Sequence, residues 1–92
     1  MSSLANLKRK WMQDPEFKAE YDALEDEFAL IRALIDARAR AGLTQAELAE
    51  RMGTTQSAIA RMEGGRINPS IAMLRRYAEA TGTRLRLELE RA

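Results

Sequence analysis

Glycine placement constrains the possible folds of this chain more than any other feature of its sequence. The 5 glycines all follow residue 41. Glycine is a poor helix former but is favoured directly after a helix, where the backbone turns. We therefore expect each segment between glycines to be one short helix. The glycines lie at positions 42, 53, 64, 65 and 82, and the predicted helices span residues 45–52, 56–63 and 71–81.

Each short segment also begins with a residue typical of helix N-caps. Thr44 followed three residues later by Glu47 is a capping box, Thr54 or Thr55 caps the second helix, and Ser70 caps the third. Apolar residues at helical spacing predict the buried face of each helix. The residues predicted to be buried are Leu48, Ala49, Met52, Ile59, Met62, Ile71, Leu74, Tyr77 and Ala78.

The part of the chain before Gly42 is predicted to hold one long helix. Asp14-Pro15-Glu16 combines an N-cap residue, a proline at the first helical position and an acid that favours the helix dipole. At 1.5 Å per residue, roughly 27 residues without an interruption give a helix about 40 Å long. Residues 1–13 lack strong periodicity and are predicted to be frayed or partly helical, with Trp11 favouring burial. The apolar stripe of the long helix is Phe17, Tyr21, Leu24, Phe28, Ile31 and Ile35.

The composition argues against an enzyme. The chain of 92 residues has no histidine and no cysteine, so disulfides, thiol catalysis and the usual metal ligands are excluded. There is also no glycine-rich phosphate loop. We expect no catalytic residues, no cofactor and no metal. No apolar run is long enough to span a bilayer, and the sequence fits a reducing cytosol, so we expect a cytoplasmic protein.

The net charge of +1 hides an asymmetry along the chain. Residues 11–36 hold 8 acids against 2 bases, a balance of −6, whereas residues 37–92 hold 10 bases against 6 acids, a balance of +4. A basic second half suits a polyanion such as DNA. The alternative is that these charges are ordinary solvated helix faces. Lys8, Arg9 and Lys10 are interpreted as a solvated tail.

In the last ten residues the apolar residues no longer follow helical spacing. Leu85, Leu87 and Leu89 alternate with charged residues, which predicts a β-strand. A lone strand needs a partner for its backbone. Two copies paired antiparallel would place Arg86 opposite Glu88, which favours a homodimer. The alternative is a strand that joins the sheet of another protein.

The two short helices around Gly53 predict a helix-turn-helix. The second would present short polar donors and acceptors and no acid, which suits the edges of DNA bases. Gln45, Arg66 and the N–H groups at both helix starts would face phosphates. The predicted DNA-binding residues are Gln45, Thr54, Thr55, Gln56, Ser57, Arg61 and Arg66.

Residues 42–49 (GLTQAELA) and 53–65 (GTTQSAIARMEGG) resemble the phage-repressor/Cro (XRE) helix-turn-helix family, and the resemblance covers residues 29–81. It implies an all-α, lambda-repressor-like domain of five helices, here with a long N-terminal helix and the C-terminal strand. It also implies that Gln45 contacts phosphate, that Thr55, Gln56, Ser57 and Arg61 read bases, and that Arg38 pairs with Glu63. The predicted division is residues 1–28 as N-terminal extension, 29–82 as DNA-binding domain and 83–92 as dimerisation strand.

The flanks are similar to HigA-like antitoxins of type II toxin–antitoxin modules. This resemblance implies a homodimer that represses its own operon on a palindromic operator and neutralises an RNA-cleaving toxin. The acidic stretch 14–36 would then attract a basic toxin, with Trp11, Phe17 and Tyr21 as anchors. Alternatively this stretch is solvated, and Phe17 and Tyr21 pack within the antitoxin dimer. A stand-alone XRE-type regulator and a protein-interaction helical module are the other open hypotheses.

Overall fold

In a computed structural model, residues 2–91 are described, with side chains from residue 6 onward, and they form five α-helices. The chain divides into two compact units, Met1–Leu30 and Ile31–Ala92. The second helix passes from the first unit into the second. The helices are α1 (Ser2–Trp11), α2 (Pro15–Arg40), α3 (Gln45–Met52), α4 (Gln56–Glu63) and α5 (Ile71–Ala80).

The first unit contains α1 and the beginning of α2. As the sequence predicts, α2 starts at Pro15, and the Glu16 N–H donates to Asp14 Oδ1 over 3.0 Å. In contrast, α1 is a complete helix where only partial helix was predicted. No side chain in residues 6–30 is buried. Trp11 is 50% exposed, so its predicted burial is wrong.

The second unit has a hydrophobic core in which Leu48 and Ile59 are fully buried. The buried residue of α2 is Leu34, which lies outside the predicted stripe. Three members of that stripe, Leu24, Phe28 and Ile35, are exposed instead. Ile71, at the first position of α5, is 53% exposed, contrary to the prediction. The buried hydrophobic residues are Leu34, Leu43, Leu48, Ala49, Met52, Ile59, Met62, Leu74, Tyr77 and Ala78.

Two glycines shape the turns around α4. Gly53 has φ 66°, and the next N–H, of Thr54, donates to the Ala49 carbonyl over 2.9 Å, which closes α3. Gly65 has φ 71°, and a Cβ at this position would lie 2.8 Å from Ile31 Cδ1. Both positions favour glycine because of their positive φ, and at Gly65 a Cβ would in addition displace the end of the Ile31 side chain.

The C-terminal β-strand predicted from Leu85, Leu87 and Leu89 is absent from the described tail, residues 83–91. These residues are irregular, Leu85 is half-buried, and Leu87 and Leu89 are exposed. Alternation separates apolar from polar faces, but a strand forms only where a neighbour accepts and donates its backbone hydrogen bonds. Every regular element in the described residues is a helix, so the predicted strand is wrong.

Among the described residues, no helix combines the length and apolar character needed to cross a bilayer.

Candidate nucleic-acid interface

The helices α3 and α4 form a helix-turn-helix whose inner side is apolar. They pack against each other, and α3 also packs against α5. Ala49 is 3% exposed, so a small side chain lies where α3 meets its neighbours. Because the inner sides of both helices are buried, only one face of α4 remains free to contact a ligand.

The free face of α4 is polar and carries no exposed acid. Thr55, Gln56, Ser57 and Arg61 are exposed, and the only acid of α4, Glu63, is buried. Arg66 is exposed just beyond the helix. A shallow concavity follows this face and is lined by Ser57, Ala60, Arg61, Gly64 and Arg66. The structure thus brings together the four predicted base-reading residues and Arg66, which is predicted to bind phosphate.

Thr55 has a structural role at the start of α4. Its Oγ1 accepts a hydrogen bond from the Ala58 N–H over 3.1 Å, so Thr55, and not Thr54, is the N-cap. Its hydroxyl hydrogen is still able to donate, since the cap uses only a lone pair. Arg61 Nε lies 3.4 Å from the Ser57 carbonyl of the preceding turn, which holds the Arg61 stem along the helix surface.

The start of α3 has the capping box that the sequence predicts. Glu47 N–H donates to Thr44 Oγ1 and Thr44 N–H donates to Glu47 Oε1, each over 3.1 Å. The hydrogen bonds from Thr44 lower the pKa of Glu47 below its ordinary value. Two of the first N–H groups of α3 are thereby satisfied, which leaves those of Gln45 and Ala46 for an external acceptor.

The buried carboxylate of Glu63 is the main polar contact of the second unit. Arg38 donates to it with two nitrogens, Nε to Oε2 and Nη2 to Oε1, each over 2.8 Å. Gln45 Nε2 donates to Oε1 over 3.2 Å. The Tyr77 hydroxyl lies 2.7 Å from Oε2 and 2.7 Å from the Leu34 carbonyl, and its single proton serves these two acceptors. The Arg38–Glu63 pair implied by the family resemblance is therefore present.

These contacts keep Glu63 ionised. Burial by itself raises the pKa of Glu63, but the hydrogen bonds from Arg38, Tyr77 and Gln45 outweigh it and hold the pKa below the ordinary value. Burial and the adjacent carboxylate raise the pKa of Tyr77 well above its usual range. The hydrogen bond with Glu63 likewise raises the pKa of Arg38. At neutral pH the cluster is a charged pair hydrogen-bonded to two neutral side chains.

Two residues of this cluster have contacts that the sequence analysis missed. Gln45, predicted to contact phosphate, also donates to Glu63. Tyr77 was predicted only as an apolar core residue, although a buried tyrosine hydroxyl needs a hydrogen-bond partner. That requirement was the available signal. The sequence does not show which residue is the partner, because Glu63 lies 14 residues from Tyr77 and on a different helix.

The three residues predicted to bind a toxin belong to the first unit. Trp11 and Phe17 have ring centroids 5.4 Å apart, and Phe17 and Tyr21 have centroids 6.1 Å apart, so the three form one aromatic cluster in the first unit. Lys8 Nζ lies 4.8 Å from the centroid of the Tyr21 ring. Within the described residues, no group of three acidic side chains is placed to hold a metal ion.

A model of the Helix-turn-helix family matches residues 34–87, more than half of the chain. The chain therefore belongs to the helix-turn-helix family. It is also 47% identical over 53 residues to an uncharacterized HTH-type transcriptional regulator of Methanothermobacter thermautotrophicus, a match that covers 56% of this chain and 77% of the relative.

The chain is further similar to Antitoxin HigA1 of Mycobacterium tuberculosis, in strain H37Rv and in strain CDC 1551. Each is 40% identical over 77 residues, which covers 84% of this chain and 52% of the relative. The matched region thus spans about half the length of these mycobacterial relatives. No solved structure matches the chain.

Proposed function

We propose that this protein is a transcriptional regulator that binds duplex DNA with the exposed face of α4, and that it acts without catalysis of its own. The observation that carries the proposal is the acid-free polar face of α4, held against α3 by a tight glycine turn. Gln56 and Ser57 offer hydrogen-bonding groups for base edges, and Arg61 offers a guanidinium one turn further along. A helix placed this way fits the major groove.

Phosphate contacts supply the rest of the proposed interface. Arg66 is exposed and positively charged, and Gln45 lies at the first position of α3, beside N–H groups free for an acceptor. Thr54 is half-buried in the turn before α4 and is assigned to the same backbone contacts. Such contacts fix the orientation of a protein on DNA, whereas base contacts decide the sequence that it prefers.

A gel shift on the DNA upstream of the protein's own gene tests this proposal. We expect Gln56→Ala and Arg61→Ala each to weaken binding by about 1–3 kcal/mol. The control is Arg75→Ala, which removes an exposed arginine from α5 and is expected to change the affinity far less. Equal effects of Arg61→Ala and Arg75→Ala would mean that only net charge matters and that α4 does not read the DNA.

We further propose a homodimer, which would place two copies of α4 in successive major grooves, roughly 34–36 Å apart. Support comes from the apolar side chains of the tail, Leu87 and Leu89, which are 62% and 104% exposed, beside half-buried Leu85. The double variant Leu87→Glu, Leu89→Glu should sediment as a monomer. An unchanged dimer would place the contact elsewhere.

Finally, we propose that the protein is an antitoxin that neutralises an RNA-cleaving toxin. The name of the mycobacterial relatives supports an antitoxin, and the aromatic cluster of the first unit supports a binding surface there. Trp11 is half exposed, Phe17 and Tyr21 are half-buried, and residues 11–36 carry a net charge of −6. A basic partner would be attracted to this surface.

Co-purification with a small basic protein encoded next to this one tests the antitoxin proposal. Capture that is lost in Trp11→Ala and Phe17→Ala, but kept in Gln56→Ala, would support it. DNA binding without any such partner would favour a stand-alone regulator. A partner bound by a protein that does not bind DNA would favour a protein-interaction module.

A further inference from the structure

The Glu63 carboxylate joins three other helices through hydrogen bonds to Arg38 of α2, Gln45 of α3 and Tyr77 of α5. One of these partners, Gln45, is a residue that the proposed function assigns to DNA phosphate. We propose that Glu63 is a positioning residue for this contact, because it orients the Gln45 amide so that its nitrogen donates to a phosphate. The inference rests on the proposed function, since it explains how the side chain of Gln45 is oriented for its proposed phosphate contact.

Hydrogen-bonding chemistry decides which end of the Gln45 amide faces inward. An ionised carboxylate only accepts, so Gln45 must face Glu63 with its NH₂ group and not with its oxygen. That NH₂ group carries two hydrogens, and Glu63 Oε1 takes one of them over 3.2 Å. The second hydrogen is left for an acceptor from outside, since Gln45 is half-buried and not fully enclosed. A glutamine without this partner rotates freely and must be ordered when DNA binds, at an entropic cost.

The charge on Arg38 makes this arrangement compatible with a phosphate. The Gln45 NH₂ group would donate to two anions, the Glu63 carboxylate and a DNA phosphate. A carboxylate without its own cation would repel that phosphate. Arg38 forms two hydrogen bonds with Glu63 and neutralises it. The Glu63 side chain is only 4% exposed, so it cannot contact DNA itself and acts through Gln45. Arg38 also donates to the Leu43 carbonyl over 3.0 Å, which ties the pair to the loop before α3.

A double-mutant cycle on binding to a 30-base-pair duplex from the upstream DNA tests the coupling. Gln45→Ala should weaken binding about tenfold, the order expected for a hydrogen bond to a charged group. Glu63→Asp keeps the charge beside Arg38 but withdraws the carboxylate from Gln45, and it should also weaken binding several-fold. The double variant should bind no worse than Gln45→Ala alone, since both changes remove one contact. The inference would be overturned if the two single-variant losses of affinity multiplied in the double variant. It would also be overturned if Glu63→Asp bound the duplex within twofold of the wild type.

A matched control separates positioning from loss of stability. Thr81→Val removes a buried hydroxyl that donates to the backbone carbonyls of Tyr77 and Ala78 at the end of α5 and makes no hydrogen bond to the side chains of the cluster. It should lower the melting temperature and leave duplex affinity within twofold of the wild type. A parallel loss of affinity in Thr81→Val would show that stability alone explains the Glu63→Asp result.

A measurement on the unaltered protein keeps the inference testable if Glu63→Asp fails to fold. ¹⁵N relaxation of the Gln45 side-chain NH₂ group, without DNA, should give an order parameter close to that of the backbone of α3. A freely mobile amide would refute the positioning role even if the wild type binds DNA. An ordered amide in a protein that binds no duplex would instead refute the proposed function, and with it the phosphate role of Gln45.

Discussion

The two units of this chain are both helical, but they are stabilised in different ways. The second unit buries ten hydrophobic side chains and the carboxylate of Glu63, which is hydrogen-bonded to half-buried Arg38. In the first unit, none of the described side chains of residues 6–30 is buried, and its aromatic rings contact one another while they remain partly exposed. Amphipathic periodicity is present in both units, so periodicity alone does not show whether a helix face is covered. Four predictions test this difference.

The largest expected effect is that of a core truncation in the second unit. Leu48 is fully buried, so Leu48→Ala should lower the free energy of unfolding by about 2–5 kcal/mol in urea denaturation. The matched change in the first unit is Leu24→Ala, at a site that is 50% exposed, and it should stay within about 0.5 kcal/mol. A large loss from Leu24→Ala would show that the first unit has a core of its own.

A second test concerns the buried hydroxyl of Tyr77. Tyr77→Phe should cost about 1–2 kcal/mol at pH 6, because Glu63 loses one of its three donor residues and the Leu34 carbonyl loses its contact with the hydroxyl.

The same variant has an expected pH dependence. The pKa of Glu63 is held below its ordinary value of 4.5. Its ionised form therefore stabilises the fold above that pH, and this stabilisation is lost as the pH falls through the lower, folded-state pKa. Tyr77→Phe brings the folded-state pKa closer to 4.5, so the cost of the variant should be smaller at pH 3 than at pH 6. An equal cost at both pH values would mean that the hydroxyl does not act on the carboxylate.

Helix caps in the two units provide a third comparison. Thr44→Ala removes the capping box of α3 and should cost about 1 kcal/mol of global stability. Asp14→Ala removes the side-chain acceptor at the start of α2, and its effect should appear as reduced helical circular dichroism without a shift of the main unfolding transition. A shift as large as that of Thr44→Ala would mean that the two units unfold as one.

The smallest effect is expected for the aromatic cluster, and the single tryptophan of the chain reports on it. Phe17→Leu should change the Trp11 fluorescence, since the two rings are 5.4 Å apart. The main unfolding transition should move by less than about 0.5 kcal/mol. In the wild type, Trp11 fluorescence should change at lower urea than the circular dichroism at 222 nm. Coincident curves would contradict independent units.

Local features of the sequence were enough to predict most helix boundaries. The predicted segments 45–52 and 56–63 match α3 and α4, and the predicted 71–81 differs from α5 by one residue. Glycine conformations and N-caps involve only residues that are close in the sequence, so they can be recognised from the sequence before the fold is known. The helix-turn-helix class, which the family match confirms, follows from the same local pattern.

Tertiary structure decided everything that depends on a partner distant in the sequence. Leu34 and Ile35 are neighbours and both apolar, and only the packing of the second unit determined that Leu34 is buried. The alternating leucines of the tail predict a strand, but a strand exists only with a second one beside it, and the described residues contain none.

The glycine-bounded pair of helices around Gly53 was thus determined by the sequence itself. The family resemblance also anticipated that Arg38 pairs with Glu63. Folding was needed to add Gln45 and Tyr77, because the 18 and 14 residues that separate them from Glu63 place the partners on different helices. Short-range preferences are encoded within a few residues, whereas the desolvation of a carboxylate and the donors that compensate it arise only when those helices pack together.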